Sequence, residues 1–130
     1  MVSFTVSEVF PVTAVELYMA WMDSGTHTDM TGGEADIGPE EGDTFEAWDG
    51  YISGVTFELD PHRRIVQQWR TAEFDDDAPD SLLEVIFEDE GENLTRVTLR
   101  HSNLPDDGMK YKQGWVEHYF EPMKAYFGEE

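Results

Sequence analysis

The chain has 130 residues, 39% of them apolar and 13% aromatic, enough for one domain with a real hydrophobic core. It carries 29 Asp and Glu against 8 Lys and Arg, a formal net charge of −21, which argues against nucleic acid and anionic membrane surfaces as partners. It has no cysteine, so disulfides, thiol catalysis and thiolate metal sites are excluded together.

The start, MVSFTVSEVF, has neither a basic n-region nor a continuous apolar run, and no stretch approaches a membrane span; the expectation is a cytoplasmic protein. The acidity with only three lysines also suits a saline setting, where screening suppresses self-repulsion.

Val2–Phe10 alternates apolar with Ser and Thr, which predicts a strand ended by Pro11. Thr13 and Glu16 make a capping box, and Val12 can staple to Leu17. Ala14, Leu17, Tyr18 and Trp21 then recur at helical spacing. Ser24-Gly25 should break this helix; His27–Thr31 predicts a second short one before Gly32-Gly33. Glu34–Asp43 reads as a loop with breakers at Gly38-Pro39 and Gly42.

The centre of the chain is an antiparallel meander. Thr44–Trp48, Tyr51–Leu59 and Arg64–Thr71 are rich in β-branched and aromatic residues. Asp49-Gly50 and Asp60-Pro61-His62-Arg63 supply the turns. Period two puts Tyr51, Val55, Phe57 and Leu59 on one face, and Ile65, Gln67 and Trp69 on one face of the next run. Asp75–Asp80 looks at first like a calcium loop. Pro79 stands where a ligand is wanted, and no Glu closes the loop, so a solvated turn is expected. Leu82–Glu88 and Leu94–Ser102 are two more strands, with Val97, Leu99 and His101 sharing a face.

A long last helix is predicted from an Asp N-cap near Asp107 to Phe127, with Gly128 at its end. Trp115, Tyr119, Pro122 and Tyr126 form one stripe; Val116, Phe120, Met123 and Phe127 form a second beside it. Pro122 has no N–H and should bend the helix, leaving space between helix and sheet for a ligand.

The order strand, two short helices, antiparallel strands, long helix resembles the START-like, helix-grip superfamily. The stretches WDGYISG (48–54), IVQQWR (65–70) and Gly114-Trp115 followed by Tyr119-Phe120-Glu121-Pro122-Met123-Lys124 resemble one family within it. That family comprises homologues of the activator of the ninety-kilodalton heat-shock protein ATPase, in their C-terminal-domain type. The resemblance implies a single α+β domain over 1–130. A curved antiparallel sheet of about six strands would wrap around the long C-terminal helix, with two short helices after the first strand. It implies a chaperone as a candidate partner. Eukaryotic activators carry a separate N-terminal domain with major chaperone contacts, and nothing before Val2 supplies one, so weak stimulation at most is expected of this chain.

The residues themselves point to a small hydrophobic ligand held between helix and sheet. Tyr51, Trp69, Trp115 and Tyr119 supply large rings to wall the space, with Gln67, His101 and His118 as polar groups near it. An enzymatic reading, of cyclase or lyase type, rests solely on His101 and His118 meeting across the cavity. His27 and His62 read as loop residues. No carboxylate has metal-ligand spacing to any histidine, and no phosphate loop, nucleophile elbow or zinc motif is present, so neither a metal nor a cofactor is predicted.

Overall fold

The computed structural model describes residues 2–128. Strand β1 (Val2–Phe10) leads through Pro11 to helix α1 (Ala14–Met22) and helix α2 (Ser24–Thr31). Six further strands follow: β2 (Asp36–Ile37), β3 (Thr44–Ala47), β4 (Ile52–Asp60), β5 (Arg64–Thr71), β6 (Ser81–Gly91) and β7 (Leu94–Leu104). They form one sheet of seven strands in the order β1-β7-β6-β5-β4-β3-β2, every neighbouring pair antiparallel. The C-terminal helical segment, Lys110–Gly128, lies against the sheet. The architecture is the α+β helix grip.

The seventh strand is the two-residue β2, inside a stretch read from sequence as loop. Asp36 and Ile37 pair with Glu46 and Phe45, and the Ile37 N–H donates to Ser24 Oγ at 2.8 Å. Burial of Ile37 draws the acidic loop onto the sheet edge.

Thr13 caps α1 as expected, while the Glu16 side chain reaches back to the Thr13 hydroxyl and not to its backbone N–H. The Glu16 N–H donates to Thr13 Oγ1 at 3.2 Å, and Thr13 Oγ1 donates to Glu16 Oε1 at 3.2 Å. The second helix starts earlier than predicted. Asp23 ends α1 and caps α2, its carboxylate accepting from the Thr26 N–H and hydroxyl, both at 2.9 Å. Gly25 is therefore inside a helix, and Gly32, with φ 89°, closes it.

The face expected for Tyr51, Val55, Phe57 and Leu59 needs correction. Thr56 lies opposite Gln67 and Glu58 opposite Val66, so one residue is extra between them. This β-bulge flips the parity of β4. Before it the buried residues are Ile52 and Thr56; after it Leu59 packs against the core. Tyr51 stands outside the strand in the turn, 37% exposed, and Phe57 is 52% exposed on the outer face.

The last helix is not one continuous α-helix from an Asp cap. Met109 occupies the N-cap position with no side-chain bond. α3 (Lys110–Trp115) passes into a π-helical turn at Val116–Phe120 and then into α4 (Glu121–Gly128). The Glu121 N–H donates to the Val116 carbonyl, five residues back. A π-turn adds one residue to the helical repeat and so advances the inward face by one position. Tyr111, Trp115 and Tyr119 are buried before the shift; Phe120 and Met123 are buried after it, while Tyr126 is 43% exposed. The two apolar stripes are used in succession. The turn ends at Phe120, two residues before Pro122, whose missing N–H would have interrupted a regular helix there.

Gly54 marks the tightest backbone approach in the sheet. A Cβ there would come within 1.9 Å of the Gln68 carbonyl oxygen and 2.7 Å of the Phe45 ring. Gly54→Ala should cost about 3 kcal/mol or more, because the backbone must move. A chemical-denaturation midpoint equal to that of the unaltered chain, at unchanged slope, would contradict this.

Candidate functional site

An open cleft of about 440 Å³ lies where α3 and the π-turn meet the mouth of the sheet. Its walls are Trp48, Tyr51, Ile52, Trp69, Tyr111, Trp115 and Tyr119, with Lys110, Gly114 and His118 along the helix side. Of the residues singled out from sequence, Tyr51, Trp69, Trp115, His118 and Tyr119 come together here. Gln67 and His101 do not. Gln67 is buried beside a separate internal void of only about 10 Å³, and its Nε2 donates to Thr56 Oγ1 at 3.2 Å. The space between helix and sheet is thus filled at its centre and open at one end.

His101 is fully buried, and its bonds fix its tautomer. The Trp115 indole can only donate, and it reaches His101 Nδ1 at 3.0 Å. Nε2 therefore carries the proton and donates to Ser81 Oγ at 2.8 Å. The Ser81 hydroxyl in turn donates to the Trp69 carbonyl at 2.7 Å. Burial holds this imidazole neutral, its pKa lowered to about 3. His118 is exposed and sits edge-on to the Trp48 ring, centroids 5.5 Å apart. No hydrogen bond links the two histidines among the described residues, and both nitrogens of His101 are engaged. The meeting of His101 and His118 on which the alternative, enzymatic reading rests is therefore not seen as a direct bond.

His27 is buried in α2, not in a loop. Its Nδ1–H donates to the Trp21 carbonyl at 2.8 Å, so Nε2 accepts from the Tyr119 hydroxyl at 2.8 Å. Burial pushes the His27 pKa down, only partly offset by the Trp21 carbonyl, and burial pushes the Tyr119 phenol up. The Asp23 cap was the sequence signal that places His27 in a helix. Tyr111 was also missed, although it precedes Trp115 and Tyr119 at the same four-residue step. Among the described residues no three His, Asp or Glu side chains gather into a metal-binding set.

Charge is confined to the rim. Lys110 Nζ donates to Glu73 at 2.5 Å and to Asp107 at 3.2 Å, and the Tyr51 hydroxyl also donates to Glu73. The bond between them raises the Lys110 pKa and lowers that of Glu73. Arg70 points away, binding Asp80 at 2.7 Å and the Asp75 and Ala78 carbonyls, so the acidic 75–80 loop wraps a guanidinium.

Trp48 forms one edge of the cleft. It precedes the Asp49-Gly50 turn, whose φ values of 59° and 88° and Tyr51 N–H to Trp48 carbonyl bond of 3.0 Å fit a type I′ hairpin. Trp48 itself has φ 53°, and its indole lies so close to Gly33 that a Cβ there would meet ring atoms at 2.4 Å.

Comparison with known proteins now bears on this geometry. The family model described as "Activator of Hsp90 ATPase homolog 1-like protein" matches residues 11–128. The chain belongs to this family. The human activator of 90 kDa heat shock protein ATPase homolog 1 is 27% identical over 124 residues, 95% of this chain and 36% of the relative. The Dictyostelium discoideum homolog is 26% identical, over 92% of this chain and 31% of its own. The chain thus spans about a third of the length of the curated relatives it matches. The crystal structure of an HSP90 activator from Plasmodium falciparum superposes with a TM-score of 0.89 at 25% identity, covering 98% of this chain and 97% of that one. CalU16 from Micromonospora echinospora shares the fold, with a TM-score of 0.79 at 21% identity over 98% of this chain and 76% of that one.

The buried histidines set an acid limit on stability. Each has a folded pKa below the unfolded value near 6.5, so its contribution is complete above that pH and is lost as pH falls. For His101 the loss should run from about pH 6.5 down towards pH 3, at up to about 1.4 kcal/mol per pH unit. Unfolding free energies at pH 6.5, 6.0, 5.5 and 5.0 should fall accordingly, and His101→Gln should flatten the slope by about that amount. An identical slope in both proteins would remove His101 as its origin.

Proposed function

We propose that the protein binds a small, largely apolar aromatic molecule in the cleft between the sheet mouth and the C-terminal helix. The observation that carries this reading is Gly114. It lines the cleft on a helix otherwise crowded with large side chains, and a Cβ there would meet nothing within 4 Å. A glycine in a helix costs roughly 1 kcal/mol relative to alanine, so the open wall has a stability cost that packing does not explain. The volume lies in the usual range for small-molecule sites, which combine apolar walls with a few polar groups. A flat compound of roughly ten to fifteen heavy atoms would bind with roughly micromolar affinity.

Gly114→Phe tests this directly, because its Cβ would meet nothing within 4 Å and its ring would project into the cleft that Gly114 lines. Uncharged two-ring aromatics should quench tryptophan fluorescence and shift Tyr111, Trp115 and His118 resonances in the unaltered chain. In Gly114→Phe, binding should weaken at least about tenfold while the fold is retained. Equal binding by the two proteins, or shifts confined to the outer sheet face, would end the reading.

A second reading, contact with the ninety-kilodalton chaperone, draws on the curated relatives and on the Plasmodium falciparum structure, whose chain is matched almost end to end. Val15 and Met19, 46% and 57% exposed and one turn apart on α1, offer an apolar contact surface. Under this reading the chain binds the chaperone with weak ATPase stimulation, and Val15→Ser with Met19→Ser reduces binding severalfold. Calorimetric titration showing no binding at high micromolar concentration would sink it.

A further inference from the structure

We infer that the molecule taken by this cleft is an uncharged aromatic bearing a hydrogen-bond acceptor, a carbonyl or phenol oxygen, that receives the indole N–H of Trp48. This rests on the cleft reading above and narrows it to a ligand class. Trp48 Nε1 is the one buried side-chain polar atom among the described residues with no hydrogen-bond partner. A buried donor left unpaired costs about 1–3 kcal/mol. The same residue holds a left-handed backbone at φ 53°, which costs about 1–3 kcal/mol for a side chain of this kind. Gly33 is the third concession, since only a missing Cβ lets the indole lie where it does. All three converge on Trp48, which lines the cleft and packs against the margin of the core with its N–H left unpaired.

The charge of the ligand follows from the rim. Lys110 is the only lysine or arginine on the cleft, and it is engaged by Glu73 and Asp107, so no cation is free to meet an anionic ligand. The net charge of −21 opposes an anion further. A ligand's ammonium group has no lone pair with which to receive the indole N–H. An uncharged acceptor faces neither objection. Trp48 Nε1 is itself buried, so the inference includes a small turn of the Trp48 side chain that brings its N–H to the ligand.

Three probes of one skeleton test this on the full chain: 2-acetylnaphthalene, 2-ethylnaphthalene and 2-naphthoate. The four tryptophan indole N–H signals are followed by nitrogen–proton NMR, with Trp48→Phe identifying the one that matters. The acetyl compound should bind about tenfold tighter than the more apolar ethyl compound. It should move the Trp48 indole proton downfield, whereas the ethyl compound moves Trp115 and leaves Trp48 in place. Naphthoate should bind more weakly than the ketone. Trp48→Phe should reduce the acetyl compound to the affinity of the ethyl one. Should that variant not fold, Gly33→Ala serves instead, since its Cβ would dislodge the ring and abolish the same preference. Equal affinity of the ketone and the hydrocarbon, or an unmoved Trp48 signal, overturns this inference and leaves the cleft reading standing. Tighter binding of naphthoate overturns the uncharged class. If neither neutral probe binds, the cleft reading falls and this inference with it.

Discussion

The bond from the Trp115 indole to His101 is the constraint on which the rest of the structure depends. An indole can only donate, so His101 must present a bare Nδ1 and carry its proton on Nε2. That proton goes to Ser81, whose own proton goes to the Trp69 carbonyl, so one chain of bonds joins the helix to β7, β6 and β5. Every polar atom along it is satisfied, which a buried polar network requires if it is to specify a single packing. Trp115 then packs on Trp69 at 5.7 Å and on Tyr119 at 4.7 Å between ring centroids, with Trp21 of α1 behind. The roll of the helix about its axis is thereby set, and with it which side chains can reach the cleft.

The π-turn follows from two demands that one regular helix cannot meet. The N-terminal half must present Tyr111, Trp115 and Tyr119 to the sheet; the C-terminal half must present Phe120 and Met123, with Phe127 partly covered. These sets are out of phase by one position. Inserting a single residue into the helical repeat brings both inward. Pro122 is the second residue of α4, just past the insertion, where the bonding pattern has already changed and its missing N–H costs least. The expected bend is therefore realised as a change of phase.

Much of the fold was legible because its signals are local. The cap at Thr13, the Asp49-Gly50 turn and the alternation in β6 and β7 each follow from a few neighbouring residues. The β4 face was not, because a bulge is set by pairing with a partner strand and leaves the spacing of Tyr51, Val55 and Phe57 looking regular. The cleft was half legible. Period and stripe identify rings that face inward, but they do not separate a ring that fills space from one that walls it. Gln67 and His101 face inward as read, yet their polar atoms are consumed by Thr56, Ser81 and Trp115, partners distant in sequence. Trp48 was visible only as part of the WDGYISG stretch, since its place at the cleft depends on Gly33 fifteen positions earlier.

The two sides of the cleft differ in how firmly they are held. On the helix side, Trp115 and Tyr119 are each tied to a buried neutral histidine, His101 and His27, through bonds of 3.0 and 2.8 Å. Moving either ring would leave a donor and an acceptor unpaired in the interior, at several kcal/mol for the pair. On the opposite side, Tyr51 is tied to the helix only through Glu73, which also pairs with Lys110 of α3 at the surface, where such contacts contribute about 0–1 kcal/mol. Trp48 stands on a strained turn with its N–H unpaired. The β3–β4 turn and the Glu73 rim are therefore the more weakly tied edge of the cleft, and the C-terminal helix the more firmly tied. On the binding proposed above, the histidine-locked aromatics would maintain the fold and the loosely tied edge would adapt to what enters.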